Sequence, residues 1–224
     1  VLVGRSAVES AFKASPLYDA SILHLAAHTY VDEEDTRRSF IVLNPERSFA
    51  DTTAALEEDG LLQWHEIAAL KLNAALVTLP ACRSAGGVLA RGEGITGLAQ
   101  AFLHAGAGCV VAAQVDVPDR AARDFMTEFY ANIRNGMDAA GALAAAQRAF
   151  LARGAAAGGV SGAGGGPDAA GSVPAAVWGS FALVGDGTVV PKLGRGSSPA
   201  VYVALALLIV GGAAVAWNAF RRRF

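Results

Sequence analysis

Two residues with the chemistry of nucleophilic catalysis each follow an apolar, strand-like run. Cys82 comes just after the run in LVTLPACRSAGG, and His28 ends the apolar part of ASILHLAAHTY. The carboxyl ends of parallel strands meet at one edge of a sheet, so neighbouring strands would bring these side chains together. A Cys82 thiolate, favoured by the charge of Arg83, could then attack a carbonyl carbon while the His28 imidazole transfers protons. The alternative is an inert core thiol and a hydrogen-bonded core histidine.

The elements that must position this pair follow an α/β pattern. Apolar strand-like runs occur in ASILHLAAHTY, SFIVLNP, NAALVTLPAC, CVVAAQV and PAAVWGSFALVGD. Helical patterns occur in GLLQWHEIAALKL, GEGITGLAQAFLHAGAG, DRAARDFMTEFYANIRNG and MDAAGALAAAQRAFLARG. Strands that are apolar throughout and alternate with helices are typical of a mainly parallel sheet covered on both faces.

The other cysteine and histidines carry weaker patterns. Cys109 lies in an apolar, β-branched run and is interpreted as a buried structural thiol, with a disulfide to Cys82 as the less favoured alternative. His24 falls on the same predicted strand face as the candidate base and is interpreted as an internally hydrogen-bonded histidine. His65 and His104 lie on predicted helices. Because no metal-binding spacing is present, no metal or cofactor is expected.

The chain changes character towards its carboxyl end. The expected divisions are a domain over 1–187 with a Gly/Ala-rich insertion at 154–172, a linker at 188–198, a transmembrane helix at 199–220 and a basic tail at 221–224. Segment 199–220 carries no charge, and about 20 apolar residues match the hydrocarbon thickness of a bilayer. The sequence therefore predicts a protein anchored to a membrane by a single carboxyl-terminal span.

The sequence is compatible with either orientation in the membrane. A reactive thiol in a chain without a disulfide framework suits a cytoplasmic domain, which is the orientation we expect. The arginines at 221–223 favour the opposite orientation under the positive-inside rule, and removal of the span, as in bacterial sorting tails, is a further alternative. The net charge of −2 gives no support for a nucleic-acid partner. The amino terminus lacks the features of a signal peptide, and we expect the sequence to begin inside a larger protein.

Five blocks, in order, resemble the CHAT domain, a caspase-like module of cysteine peptidases related to separase and often fused to TPR repeats. They are ILHLAAHT, GLLQWHEIAALKLNAALVTLPACRSAGG, GEGITGLAQAFLHAGAGCVVAAQVDVPD, FMTEFYANIRNGMDAAGALAAAQRAF and WGSFALVGDG. The resemblance covers roughly residues 2–187 and lacks the family's opening strands. It implies a caspase-like three-layer α/β sandwich with a mainly parallel sheet.

The resemblance also implies an activity and assigns residues to it. Cys82 would be the nucleophile and His28 the general base of a cysteine endopeptidase, with the backbone N–H groups of Thr29 and Cys82 as the oxyanion hole. Asp119, in the DVPD stretch, is the candidate contact for a basic substrate residue. The implied partners are a protein or peptide substrate and a TPR-type regulatory region, in a longer chain or a separate partner.

Two departures from the family pattern support an alternative function. The family usually has glycine after the catalytic histidine, where this chain has Thr29, and a β-branched residue adopts positive φ only at a cost. The family commonly reads Cys-Glu-Thr-Gly at the nucleophile, whereas this chain reads CRSA. The alternative is therefore a catalytically inactive CHAT pseudopeptidase that acts as a signalling or scaffold module.

A concentration of acidic residues separates the two members of the pair. Residues 32–66 hold ten of the chain's 20 carboxylates. These are Asp32, Glu33, Glu34, Asp35, Glu46, Asp51, Glu57, Glu58, Asp59 and Glu66. The negative field would attract basic peptides, and a solvated loop kept soluble by its charge is the alternative interpretation.

Overall fold

The computed structural model of the chain describes residues 1–32, 35–45, 59–80, 93–115, 117–156 and 179–192. Within these ranges the strands are β1 (Ile22–His24), β2 (Thr29–Tyr30), β3 (Phe40–Val42), β4 (Leu61–Gln63), β5 (Leu76–Leu79), β6 (Cys109–Ala113) and β7 (Phe181–Gly185). The helices are α1 (Glu9–Lys13), α2 (Trp64–Ala69), α3 (Glu93–His104), α4 (Asp119–Arg134) and α5 (Ala139–Ala156).

The main sheet has four strands in the order β1–β5–β6–β7. β1 runs parallel to β5 and β5 runs parallel to β6, while β7 is antiparallel to β6. Every residue of β5 and β6 is buried, because helices cover both faces of the sheet. The predicted mixed α/β fold with a mainly parallel sheet is confirmed.

Two apolar cores, one on each face of the sheet, join the sheet to helices on both sides and so produce three layers. Val110 of β6 packs in one core with Phe102 of α3. Its neighbour Val111 packs in the other core with Phe125 of α4, because successive strand residues point to opposite faces. The Phe125 ring also stacks on the Phe181 ring, with centroids 4.4 Å apart. Each face of the sheet is therefore closed by its own helical layer.

A smaller antiparallel sheet, β2–β3–β4, lies beside the main sheet. The segment GLLQWHEIAALKL, predicted to be one helix, begins as strand β4 and becomes helical only at Trp64. Leu61–Gln63 pairs with Phe40–Val42, and this tertiary pairing overrides the helical spacing. The Trp64 Nε1–H donates to the Gly97 carbonyl at 2.9 Å and links α2 to α3.

The prediction of a strand that runs up to His28 is wrong. β1 ends at His24, and the Leu25 N–H donates to the Thr78 carbonyl at 2.9 Å as the last contact with β5 in this run. The chain then crosses to the smaller sheet, where the His28 carbonyl accepts from the Val42 N–H at 2.7 Å. The apolar run is continuous across the crossing because residues on both sides of it are packed inside the protein.

Gly106 allows the tight connection from α3 into β6. Gly106, between α3 and β6, has a φ of 109°. A Cβ at this position would stand 2.4 Å from the Leu72 carbonyl oxygen, so only glycine fits both the backbone conformation and the space. The close approach is fixed by the Leu72 N–H, which donates to the Ala105 carbonyl at 2.8 Å.

Residues that follow β7 run along the edge formed by the amino ends of the parallel strands. The Asp186 N–H donates to the Gly108 carbonyl at 2.9 Å. Farther along, the Lys192 N–H donates to Ser21 Oγ at 3.1 Å, directly before β1. The last described segment is therefore fastened to the amino-end edge of the sheet.

None of the helices within the described ranges is both long enough and apolar enough to cross a bilayer. The predicted transmembrane segment 199–220 and tail 221–224 lie outside the described residues. Residues 154–156 of the predicted insertion belong to α5, and the rest of it lies outside the described residues.

Candidate active site

The candidate site lies at the carboxyl ends of β1 and β5. His24 of β1 is the register partner of Thr78 of β5, so the two strands reach this edge side by side. His28 follows His24 by four residues, and Cys82 follows Thr78 by four residues. The strands that precede the two predicted dyad residues thus end at one edge of the sheet.

His28 is half-buried and is held by its backbone at the start of the smaller sheet. Its carbonyl accepts from the Val42 N–H at 2.7 Å, which fixes the residue directly before β2. Cys82 and Arg83 lie outside the described residues, as do Ser84 and Ala85. The dyad therefore stays a prediction, based on the adjacent, parallel strands that precede its two members.

Thr29, the candidate oxyanion donor, lies in an extended strand rather than in a strained turn. None of the described non-glycine residues has a positive φ, so the conformation that a threonine would resist is absent here. Thr29 is opposite Ile41, and the neighbouring pair His28–Val42 is the hydrogen-bonded one. Hydrogen-bonded and non-hydrogen-bonded pairs alternate in antiparallel strands, so the Thr29 N–H points away from β3.

Asp119 is exposed at the first position of α4. The helix follows β6, whose carboxyl end lies at the same edge of the sheet as those of β1 and β5. Pro118 precedes it with an extended ψ of 136° and starts the helix. The Asp119 carboxylate therefore lies at the helix end that favours negative charge, on the side of the sheet where the candidate dyad is expected.

The second cysteine is a poor nucleophile. Cys109 is a free, buried thiol whose Sγ donates to the Ala75 carbonyl at 3.4 Å. Burial, with a smaller contribution from the charge of Asp186, raises the pKa of this thiol to about 12. The thiol is therefore protonated near neutral pH, and the interpretation as a structural residue is confirmed.

His24 is hydrogen-bonded inside the protein, as predicted. Its Nδ1 lies 2.7 Å from Thr78 Oγ1 and 3.0 Å from Tyr130 Oη. Burial lowers the pKa of His24 to about 4, so the imidazole is neutral at physiological pH. Neither hydroxyl partner was predicted from the sequence, where the only local signal is one threonine in the otherwise apolar strand β5.

The two remaining histidines lie on helices and are exposed. His65 is exposed on α2, and His104 is the last residue of α3. Among the residues that the structure describes, no group of three or more His, Cys, Asp or Glu side chains is arranged to hold a metal ion.

These features define a class of protein: three-layer α/β domains with a mainly parallel sheet and a histidine just beyond the carboxyl end of one strand. Comparison with known families identifies the family within this class. Residues 1–186 match the CHAT domain, so the chain belongs to the CHAT domain family, and a caspase-like fold follows from that membership.

A relative from mouse (Mus musculus), Tetratricopeptide repeat protein 28, is 35% identical over 88 residues. The match covers 39% of this chain but only 4% of the relative. The chain is therefore similar to a small part of a much longer protein.

Proposed function

We propose that this chain is a CHAT-type cysteine endopeptidase with His28 and Cys82 as its catalytic dyad. The observation that carries the proposal is the parallel pairing of β1 with β5, which sends the segments leading to both residues to one edge of the sheet. Neighbouring parallel strands are about 4.8 Å apart, which suits two side chains that must exchange a proton.

The proposed chemistry is hydrolysis of a peptide bond in two stages. The Cys82 thiolate attacks the carbonyl carbon, and the oxyanion that forms accepts hydrogen bonds from the backbone N–H groups of Thr29 and Cys82. The C–N bond then breaks as the His28 imidazolium gives its proton to the leaving amine. In the second stage His28 removes a proton from water, which hydrolyses the thioester and releases the acid product.

Proteolysis of a library of basic-residue peptides by the purified 224-residue chain tests this proposal. We expect cleavage by the wild-type chain and none by Cys82→Ala. Iodoacetamide should also label Cys82 at neutral pH faster than it labels an unactivated thiol, because a histidine partner lowers a cysteine's pKa. Cys109 is the internal comparison, since its raised pKa keeps it protonated. Slow labelling of Cys82 together with absence of cleavage would contradict the dyad.

That negative result would favour a second candidate function, an inactive CHAT domain that acts as an interaction module. The observation in its favour is the CRSA sequence at the nucleophile. The extended backbone at Thr29 supports activity instead, because the residue does not adopt the positive φ that a β-branched side chain resists. Rapid, His28-dependent labelling of Cys82 without cleavage would instead indicate a peptidase that needs an activating partner.

The proposed substrate class is a polypeptide with a basic residue at the cleavage point. Asp119→Asn should lower kcat/KM for an arginine-containing peptide by about 10- to 100-fold, the worth of one charge-assisted hydrogen bond. Steady-state kinetics on paired arginine and alanine peptides measures this. Asp124→Asn, at an exposed position of the same helix, is the matched control. Equal losses on both peptides would rule out a role for Asp119 in specificity.

We also propose how the domain is regulated and attached. The name of the mouse relative includes tetratricopeptide repeats, which supports a TPR-type region, in a longer chain or a partner, as the source of the activating signal. The uncharged segment 199–220 and the arginines that follow it support a membrane anchor. The proposed location of the domain is the cytoplasmic side, and protease protection of vesicle-inserted protein would test that orientation.

A further inference from the structure

Three polar side chains from three elements meet at the carboxyl ends of β1 and β5. We call His24 of β1, Thr78 of β5 and Tyr130 of α4 the polar triangle. Its sides are 2.7 Å from His24 Nδ1 to Thr78 Oγ1, 3.0 Å from Nδ1 to Tyr130 Oη, and 2.7 Å between the two hydroxyl oxygens. All three separations are within hydrogen-bonding distance, so each group contacts both of the others.

The polar triangle is not explained by packing. Thr78 has no exposed surface, and the other residues of β5 are all aliphatic, so valine would fill the same space without a hydroxyl. Burying a hydroxyl group costs free energy unless it finds a partner, and a fully satisfied polar network fixes one geometry where an apolar cluster would tolerate several. The network therefore restricts how the three elements sit against one another.

The polar triangle restricts movement at the ends of β1 and β5, the two strands that precede the proposed dyad residues. His24 and Thr78 are register partners at the end of the β1–β5 pairing, and each stands four residues before a proposed catalytic residue. Tyr130 adds a contact from the helical layer, where the centroid of its ring lies 5.7 Å from the centroid of the His24 ring. Burial keeps His24 neutral, and in the tautomer that carries its proton on Nε2 the Nδ1 atom accepts a hydrogen bond from one of the two hydroxyls.

We propose that the polar triangle is a positioning device that fixes the carboxyl ends of β1 and β5 relative to each other and so sets the separation of His28 from Cys82. Its members touch no substrate and act through the two segments that follow them. The inference rests on the proposed function, because it assumes that His28 and Cys82 work as a pair.

The test is the alkylation rate of Cys82 in the purified 224-residue chain, measured with iodoacetamide across pH, together with kcat and KM. Thr78→Val and Tyr130→Phe each remove one hydroxyl and keep the shape of the side chain. Misplacement of a catalytic group by about 1 Å can cost about 100-fold, and we expect kcat and the alkylation rate at neutral pH to fall by about 10- to 100-fold with KM little changed. The alkylation pH profile should also shift towards that of a free thiol, with a pKa of about 8.5.

Matched variants separate positioning from a general loss of structure. Thr78→Ser keeps the hydroxyl and should retain most of the rate, which a purely steric role for residue 78 would not predict. Thr127→Val and Tyr18→Phe make the same chemical changes at exposed positions and should leave rate and pH profile unchanged. The alkylation rate of the Cys82→Ala chain is subtracted, which removes any contribution from labelling of Cys109. If Thr78→Val fails to fold, as judged by thermal unfolding, Tyr130→Phe alone decides the question.

The two ways of failing are distinct. If His28→Ala does not slow alkylation of otherwise wild-type Cys82, the dyad itself is wrong and the positioning role falls with it. If His28→Ala slows alkylation but folded Thr78→Val and Tyr130→Phe match the wild-type rate and pH profile, the dyad stands and the positioning role of the polar triangle is overturned.

Discussion

Replacing His28 by alanine is expected to lower kcat/KM for peptide cleavage by about 10²- to 10⁴-fold, the usual contribution of a positioned general acid–base. In the proposed mechanism, the variant would lose the proton donor for the leaving amine and the partner that favours the Cys82 thiolate. His28 is half-buried and makes its hydrogen bond to Val42 through its backbone, so the smaller sheet should survive the substitution. Steady-state kinetics on a peptide cleaved by the wild-type chain measures the loss.

His65→Ala is the matched control, because His65 is exposed on α2 and should leave kcat/KM unchanged. The residual activity of His28→Ala should increase with pH as the unassisted thiol ionises near its ordinary pKa of about 8.5. An unchanged kcat/KM in folded His28→Ala would show that another group transfers the protons.

Replacing Lys13 by methionine is expected to lower the free energy of unfolding by about 3 kcal/mol, because it leaves two carboxylates without their cation. Lys13 Nζ lies 2.8 Å from Glu9 Oε1 and 2.7 Å from Glu66 Oε1, and Glu9 is fully buried. The value is at the low end for a broken buried pair because 27% of the Lys13 side chain is exposed. Urea denaturation of the wild-type and variant chains measures the difference.

Lys71→Met, at an exposed lysine, is the control and should change the free energy of unfolding little. A Lys13→Met chain as stable as the Lys71→Met chain would show that the cluster adds nothing to stability. Burial is the largest influence on the Glu9 carboxyl and raises its pKa despite the hydrogen bond from Lys13. Burial also opposes ionisation of the Lys13 amine, but hydrogen bonds to Glu66 and Glu9 outweigh it and raise its pKa.

The pH dependence of this cluster follows from those directions. The raised pKa of Lys13 means that its stabilising charge is present below the ordinary lysine pKa of about 10.4 and is lost as pH rises through the folded-state value. Without Lys13, protonation of Glu9 in the folded state relieves the uncompensated charge. The stability deficit of Lys13→Met should therefore be larger at pH 8 than at pH 5.

The sequence predicted the sheet and its helical layers because their periodicities are local. The buried strands β5 and β6 are runs of apolar residues, and α4 has one apolar face that includes Phe125 and Phe129. The crossing between β1 and β2 was missed because both sides of it are packed, and hydrophobic pattern alone does not report a change of sheet. The strand β4 was missed because its partner β3 lies far away in sequence.

The candidate site could be predicted only in part, because some of its contacts join residues that are far apart in sequence. The local sequence pointed to His28, and to His24 as a core histidine, but it gave no means of pairing His24 with hydroxyls elsewhere in the chain. Thr78 and Tyr130 reach His24 only through the register of β1 with β5 and the packing of α4 on the sheet. These contacts are tertiary, and single-residue patterns do not encode them.

Lys192 is held by Ser21 at the amino-end edge of the sheet, whereas His28 lies beyond its carboxyl-end edge. The chain therefore leaves the described domain on the side away from the dyad. If the following residues form the proposed anchor, the point of tethering and the point of substrate entry would be on opposite sides of the domain. A polypeptide could then reach His28 from the side of the domain opposite the proposed anchor, and the membrane would not block its approach.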